Sequence, residues 1–243
     1  MTCADKQNIA NFLDLSADYL SGGYKSEPRE YNFNEEPLAD MPPQNSKNFS
    51  AHTGDPLEQI AAEIKACKNC RLGETRKNAV PGEGVNNPVV MVIGEGPGAD
   101  EDAQGRPFVG KAGQLLDKML ASINLSRKTN CFIANVVKCR PPNNRDPYPD
   151  ETAFCAGFLQ RQIETLKPKF ILLVGSIAAT TVLKAAERVG KLRGKFTEYK
   201  TDNMAIPLLV TYHPSALLHN EDYKRPAWED LKLLRSEIEK QES

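Results

Sequence analysis

Four short apolar runs set what this chain can fold into. They are Val89–Ile93 (VVMVI), Phe132–Val137 (FIANVV, interrupted only by Asn135), Phe170–Val174 (FILLV) and Leu208–Thr211 (LLVT). Each is too short for a core helix and lacks polar alternation, so each predicts a strand buried on both faces. Helical period fills the gaps. Lys111–Ile123 puts Leu115, Leu116, Met119 and Leu120 on one face, and Pro149–Leu166, Ser176 to about Val189, and Pro226–Lys240 read the same way. Short buried strands alternating with helices imply an α/β fold with a parallel sheet covered on both sides. Ligands of such sheets bind beyond the carboxyl ends of the strands. The segments that follow strand ends directly, GEGPG, NVVKCRPP and TYHPSALL, are therefore expected to converge on one cleft.

The 243 residues suit one domain plus an extension. Residues 1–54 hold one short amphipathic stretch, Asn8–Leu20, then a polar segment rich in Pro, Asn and Glu that reads as linker. A disordered tail is the first reading of this extension; a tethered helix that docks a partner is the second. The folded domain is expected from Asp55 to the end, opening on Asp55 as N-cap with Pro56 in the first turn. The charge is balanced, with 31 basic against 32 acidic residues, so any nucleic-acid footprint must be local. No apolar run is long enough to span a bilayer, and the N-terminus lacks the pattern of a secretory signal. A cytoplasmic, reducing setting is expected, where clustered cysteines serve as metal ligands more often than as disulfides.

Cys67 and Cys70 form a C-x2-C pair, and Cys139 and Cys155 a C-x15-C pair. Four thiolates suit either tetrahedral zinc or a [4Fe–4S] cluster; C-x15-C is unlike a zinc knuckle, which favours the cluster. Cys131 reads as a buried hydrophobe, and Cys3 lies outside the pattern. The glycine loop GEGPGADEDAQGRPFVG matches G-x-G-x-x-A at Gly94, Gly96 and Ala99. Pro97 sits inside the motif and no helix is expected before Lys111, so a dinucleotide site ranks below a purpose-built pocket loop. His213, past a strand end, shares the expected rim with Glu95 and Asn135. The Asn135 amide can match a base edge, with one acceptor and two donors. Phe108, between two glycines, can serve as a stacking platform. His52 and His219 carry no comparable case.

GEGPGADEDAQGRPFVGKAGQLL, NVVKCRPPNNRDP and HPSALL, together with the four cysteines, closely resemble the family-four uracil-DNA glycosylases, the iron–sulfur type, over residues 57–243. The resemblance implies a three-layer α/β/α sandwich with a central four-stranded parallel sheet. It implies a [4Fe–4S] cluster on Cys67, Cys70, Cys139 and Cys155, and excision of uracil from single- or double-stranded DNA in base-excision repair. Any partner docked by the N-terminal helix would then be a repair or replication partner. Phe108 would stack on the extruded ring, Asn135 would read its edge, and Gly94 and Gly96 (with Gly98) would let backbone approach base and sugar. His213 would donate to uracil O2, and Glu95 would stabilise the sugar cation or orient water. Arg145, Pro214, Ser215 and Leu217 are expected on DNA, with Leu217 or Leu218 as the wedge, and Arg140 and Asn144 near the cleft. Where related enzymes carry a water-activating Asp and a thymine-excluding Tyr, this chain has Gly96 and Gly98. GKLRGKFTEYK (190–200) lacks the histidine with which a related branch traps DNA covalently, so a monofunctional enzyme, acting as a monomer, is expected. Two readings compete: a non-catalytic metal-bearing nucleic-acid module, and a nucleotide-binding oxidoreductase.

Overall fold

The computed structural model describes residues 55–242, except 186 and 202. The described residues lie in one compact unit, Gly54–Ser243. The expected N-terminal helix and linker fall outside them. Among the described residues no helix is long and apolar enough to cross a membrane.

Six strands form one sheet: β1 (Glu83–Gly84), β2 (Val90–Gly94), β3 (Cys131–Asn135), β4 (Phe170–Val174), β5 (Phe196–Thr201) and β6 (Met204–Thr211), in the order β1-β3-β2-β4-β6-β5. The four expected strands form the parallel centre, β3-β2-β4-β6. Every residue of β2, β3 and β4 is buried. Side chains alternate between faces, so one strand feeds two cores. Met91, Ile93, Ile171 and Leu173 pack with Leu159, Ile163 and Leu166 of α5 (Pro149–Leu166) and Ala178 and Ala179 of α6 (Ser176–Leu183). Val90, Val92, Leu172 and Val174 pack with Leu116 and Leu120 of α4 (Lys111–Ala121) and Leu231 and Leu234 of α9 (Lys224–Glu242). The result is the three-layer α/β/α sandwich.

Four features depart from expectation. Two antiparallel edge strands extend the parallel centre to six. β1 is two residues long, and a side chain on Gly84 would collide with the Cys131 carbonyl, so glycine permits this pairing. β5 is polar and half exposed, as suits an edge, and pairs with β6, which starts at Met204 rather than Leu208. A short helix, α3 (Ala99–Gln104), opens directly after the glycine loop where none was expected. Its start is held by the Glu101 side chain, which accepts the Gly98 N–H at 3.0 Å, and Gly105 ends it in the left-handed conformation. The helix expected to run from Ser176 to Val189 stops at Leu183, with Lys184 left-handed, and resumes as α7 (Val189–Leu192).

The remaining helices carry the cysteines and the rim. α1 (Pro56–Ala66) is capped by Asp55, whose carboxylate accepts the Leu57 N–H at 2.9 Å. α2 (Leu72–Thr75) follows the first cysteine pair, and α8 (Pro214–His219) follows β6. Leu172, central in β4 and fully buried, tests the core. Leu172→Ala should lower unfolding free energy by about 2–5 kcal/mol, read from the urea midpoint at unchanged slope.

Candidate active site

The parallel register places Gly94, the last residue of β2, beside Asn135, the last of β3. A Cβ on Gly94 would lie 2.5 Å from Phe108 Cζ and 2.6 Å from Asn135 Oδ1. Glycine is thus what lets the Phe108 ring and the Asn135 amide share one small space. The His213 ring stands 5.6 Å from the Phe108 ring, centroid to centroid, at 34°. Gly175, after β4, has φ +97, and a Cβ there would meet the His213 side chain at 3.0 Å. Gly94, Phe108, Asn135 and His213 therefore meet at the strand ends; Glu95, expected on the same rim, is the next residue after Gly94. Asn135 is 1% exposed, and its Oδ1 is the one buried side-chain nitrogen or oxygen among the described residues without a hydrogen-bond partner. Leaving a buried acceptor unpaired costs about 1–3 kcal/mol, which a ligand donor would recover.

Two groups that sequence reasoning passed over, Arg127 and Glu101, hold this arrangement. Phe108 has φ +52, unusual for a side-chain-bearing residue. Arg127, itself buried, donates to the Pro107 carbonyl at 2.7 Å and the Phe108 carbonyl at 2.8 Å, and ion-pairs with Asp117 and Glu83. Glu101 accepts from Gly98 N–H with one oxygen and from Val109 and Gly110 N–H, at 2.8 and 2.9 Å, with the other. One carboxylate thus ties the glycine loop to the Phe108 loop. Its spacing after Gly98 was the available signal; the distant Val109 and Gly110 had none. The Glu101 carboxylate at the start of α3 also counts against a pyrophosphate there, because it takes the Gly98 N–H and sets a negative charge at that helix end.

His213 is the N-cap of α8, and its Nδ1 accepts the Ser215 N–H at 3.2 Å. A backbone N–H only donates, so Nδ1 is unprotonated and the ring proton sits on Nε2. The Ser215 hydroxyl lies 2.7 Å from the same Nδ1. Burial pushes the His213 pKa down to about 4, against an upward pull from Glu101, so the ring is neutral at pH 7. Glu95, just past β2, is partly buried. Burial, with a smaller push from the Asp146 charge, raises its pKa to about 7.

Several expected DNA contacts are placed otherwise. Ser215 turns its backbone N–H inward onto His213 rather than outward, and Pro214 is buried. Leu217 is 3% exposed and packs in the core, whereas Leu218 is 49% exposed; the helical turn points only Leu218 outward. Arg145, partly exposed, is paired within its own chain, bidentate on the buried Glu151 at 2.7 and 2.8 Å and 3.7 Å over the exposed Tyr148 ring. Gly96 approaches Val137, where a Cβ would lie 2.7 Å from Cγ2. Arg140 donates to Asn144 at 2.8 Å.

The cysteines gather on the neighbouring side of the sheet end. Cys67 ends α1, Cys70 follows, Cys139 lies beyond β3, and Cys155 is in α5. All four are free thiols lining one small cavity, with Ile64, Phe154, Phe158, Arg76 and Lys138. Arg76 donates to Cys139 Sγ at 2.8 Å and to the carbonyls of Ile64, Lys65 and Cys67. Burial raises the Cys139 pKa, opposed by Arg76, and pushes Cys155 up to about 11. No three Cys, His or acidic residues among those described converge on a single-ion position. Zinc would need sulfurs about 2.3 Å from one centre. Four thiols around one cavity, with Arg76 and Lys138 beside them, are a donor set that can hold a metal centre.

Residues 81–232 match the family model of the uracil DNA glycosylase superfamily. The chain is 42% identical over 188 residues to a type-4 uracil-DNA glycosylase of Saccharolobus solfataricus, a match spanning 76% of this chain and 87% of that protein. It is 44% identical over 185 residues to one of Sulfurisphaera tokodaii, spanning 74% and 84%. It is 40% identical over 194 residues to one of Thermotoga maritima, spanning 78% and 99%. The Gly94 contact tests the pocket directly. Gly94→Ala should keep its thermal midpoint within a few degrees yet lose about 100-fold or more in kcat/KM on a uracil-containing oligonucleotide.

Proposed function

The chain belongs to the uracil-DNA glycosylase superfamily, among its type-4 members, and we propose how its residues hydrolyse the N-glycosidic bond of uracil in DNA. The substrate base leaves the stack before reaction, because its glycosidic bond is out of reach inside a duplex. Phe108 stacks on the extruded ring, and the Asn135 amide meets its edge. The observation that carries this reading is the unpaired buried Asn135 Oδ1. Uracil N3–H is a donor and satisfies it; cytosine presents a lone pair at N3 and leaves it unpaired. A site that must leave a buried polar group unmet discriminates strongly.

Cleavage sends the bonding electrons to the base and leaves positive charge on the sugar. His213 donates its Nε2–H to uracil O2 as negative charge grows there, and the Ser215 N–H on Nδ1 supports that tautomer. Glu95, ionised, faces the sugar cation and orients the water that adds at C1′; the water's proton leaves to solvent or to Glu95. Because 190–200 lacks the trapping histidine, turnover proceeds without a covalent DNA adduct. Leu218, not Leu217, is the exposed apolar side chain able to enter the gap left by the base.

Cys67, Cys70, Cys139 and Cys155 would hold a [4Fe–4S] cluster, which would supply a cross-link between the segments that carry them: the end of α1, the chain after β3, and α5. The same reading takes the enzyme as a cytoplasmic monomer, in keeping with thiols that need a reducing setting.

Purified protein should release free uracil from single- and double-stranded uracil DNA, with about four irons per chain and broad visible absorbance. A colourless, active protein would remove the cluster from this account, and absence of uracil release would remove the activity. Glu95→Gln makes a second test. Folding favours the protonated Glu95, so its stabilisation is complete below about 4.5 and vanishes as pH rises through about 7. Glu95→Gln should therefore gain about 1–3 kcal/mol over the parent at pH 8 and lose activity there, while at pH 4, where the parent's Glu95 is protonated, the two should differ little in stability or activity.

A further inference from the structure

Lys138 is 1% exposed, the largest fully buried side chain described, and the reading above assigns it no role. Its ammonium donates to the Asn135 carbonyl at 2.8 Å and to Gln162 Oε1 at 2.7 Å. Gln162 is buried in turn and donates to the Pro81 carbonyl at 2.8 Å. Both acceptors of the ammonium are neutral, and no carboxylate pairs with it among the described residues. A buried, unpaired cation costs several kcal/mol unless an anion lies nearby. The anionic group within reach is the set of thiolates: Lys138 lines the cavity bounded by Cys67, Cys70, Cys139 and Cys155. A cluster on four thiolates carries net negative charge, which a buried ammonium would balance. Arg76, the other cation lining that cavity, donates to Cys139 Sγ at 2.8 Å and to three carbonyls around the first cysteine pair; of the two cations, Lys138 is the one bonded to Asn135.

Resting on the cluster assignment made above, we propose that Lys138 is a positioning residue joining the cluster to the uracil-reading amide. Its ammonium balances the thiolate-bound centre on one side and fixes the Asn135 carbonyl on the other. Because Asn135 reads the base, loss of that anchor loosens recognition, while loss of the positive charge makes the cluster harder to reduce.

The test uses the full-length, iron-loaded protein and its Lys138→Met and Lys138→Gln variants. Folding is checked by far-ultraviolet circular dichroism, iron per chain by colorimetry, cluster potential by film voltammetry, and KM and kcat on a single-stranded uracil oligonucleotide. Both variants should show a more negative cluster potential. Lys138→Met should raise KM about tenfold with kcat changed less, and Lys138→Gln, which keeps a donor for the carbonyl, should raise it less. Variants that fold but fail to retain iron also support the counter-charge. The proposal is overturned if either variant, at parental iron content, keeps both the parental potential and the parental KM. Should Lys138→Met not fold, Lys138→Gln decides alone. A parent protein without iron, or without uracil release, would instead refute the function proposed above, a distinguishable result.

Discussion

The in-register parallel pairing of β2 with β3 governs everything at the site. It sets Gly94 beside Asn135 and sends both chains out of the sheet at the same level. β4 and β6 continue that register, so Gly175 and His213 arrive at the same edge. Because β2, β3 and β4 are covered on both faces, the pairing cannot slip by one residue without turning one core into the other. The cleft is thereby built on the most deeply buried part of the molecule. That suits a pocket that must hold an amide at fixed distance from a stacked ring.

Loops that leave a rigid edge still need tethers, and here the tethers are ionic. Glu101 pins the glycine loop to the Phe108 loop through three N–H groups. Arg127 holds Phe108 in a left-handed conformation through two carbonyls. Charged hydrogen bonds to backbone are stronger than neutral ones, so these two residues can hold strained or irregular chain that apolar contacts alone would release. His213 is set differently: the cap of its own helix fixes its tautomer, and burial keeps it neutral. A neutral ring with its proton on Nε2 can donate a hydrogen bond without first taking a proton from solvent.

Much of this was legible along the chain. The four parallel strands, α1, α4 and α5, and the shared edge of Asn135 and His213 follow from local pattern, whereas the place of Phe108 beside them was implied by the family resemblance. The apolar runs are continuous, the caps are local, and strand ends in such sheets always face one side. The short helix after the glycine loop escaped notice because its N-cap residue, Gly98, has no side chain to announce it. The edge strands were missed because β1 is only two residues and β5 is polar, so neither shows burial. Leu217 and Leu218 are indistinguishable in sequence; one turn of helix buries the first and exposes the second.

Sequence by itself determined which residues could be strands, which side of the sheet would carry chemistry, and which residue types were present to do it, since these depend on period and composition. Only tertiary structure decided which partners those residues meet. Arg145 was free to seek a phosphate until Glu151 and Tyr148 took its guanidinium, and Lys138 was an ordinary loop lysine until folding enclosed it between Asn135 and the cysteines. The reason is physical: a charge acquires its role from what replaces its water. That replacement comes from residues distant in the chain, which no local pattern records.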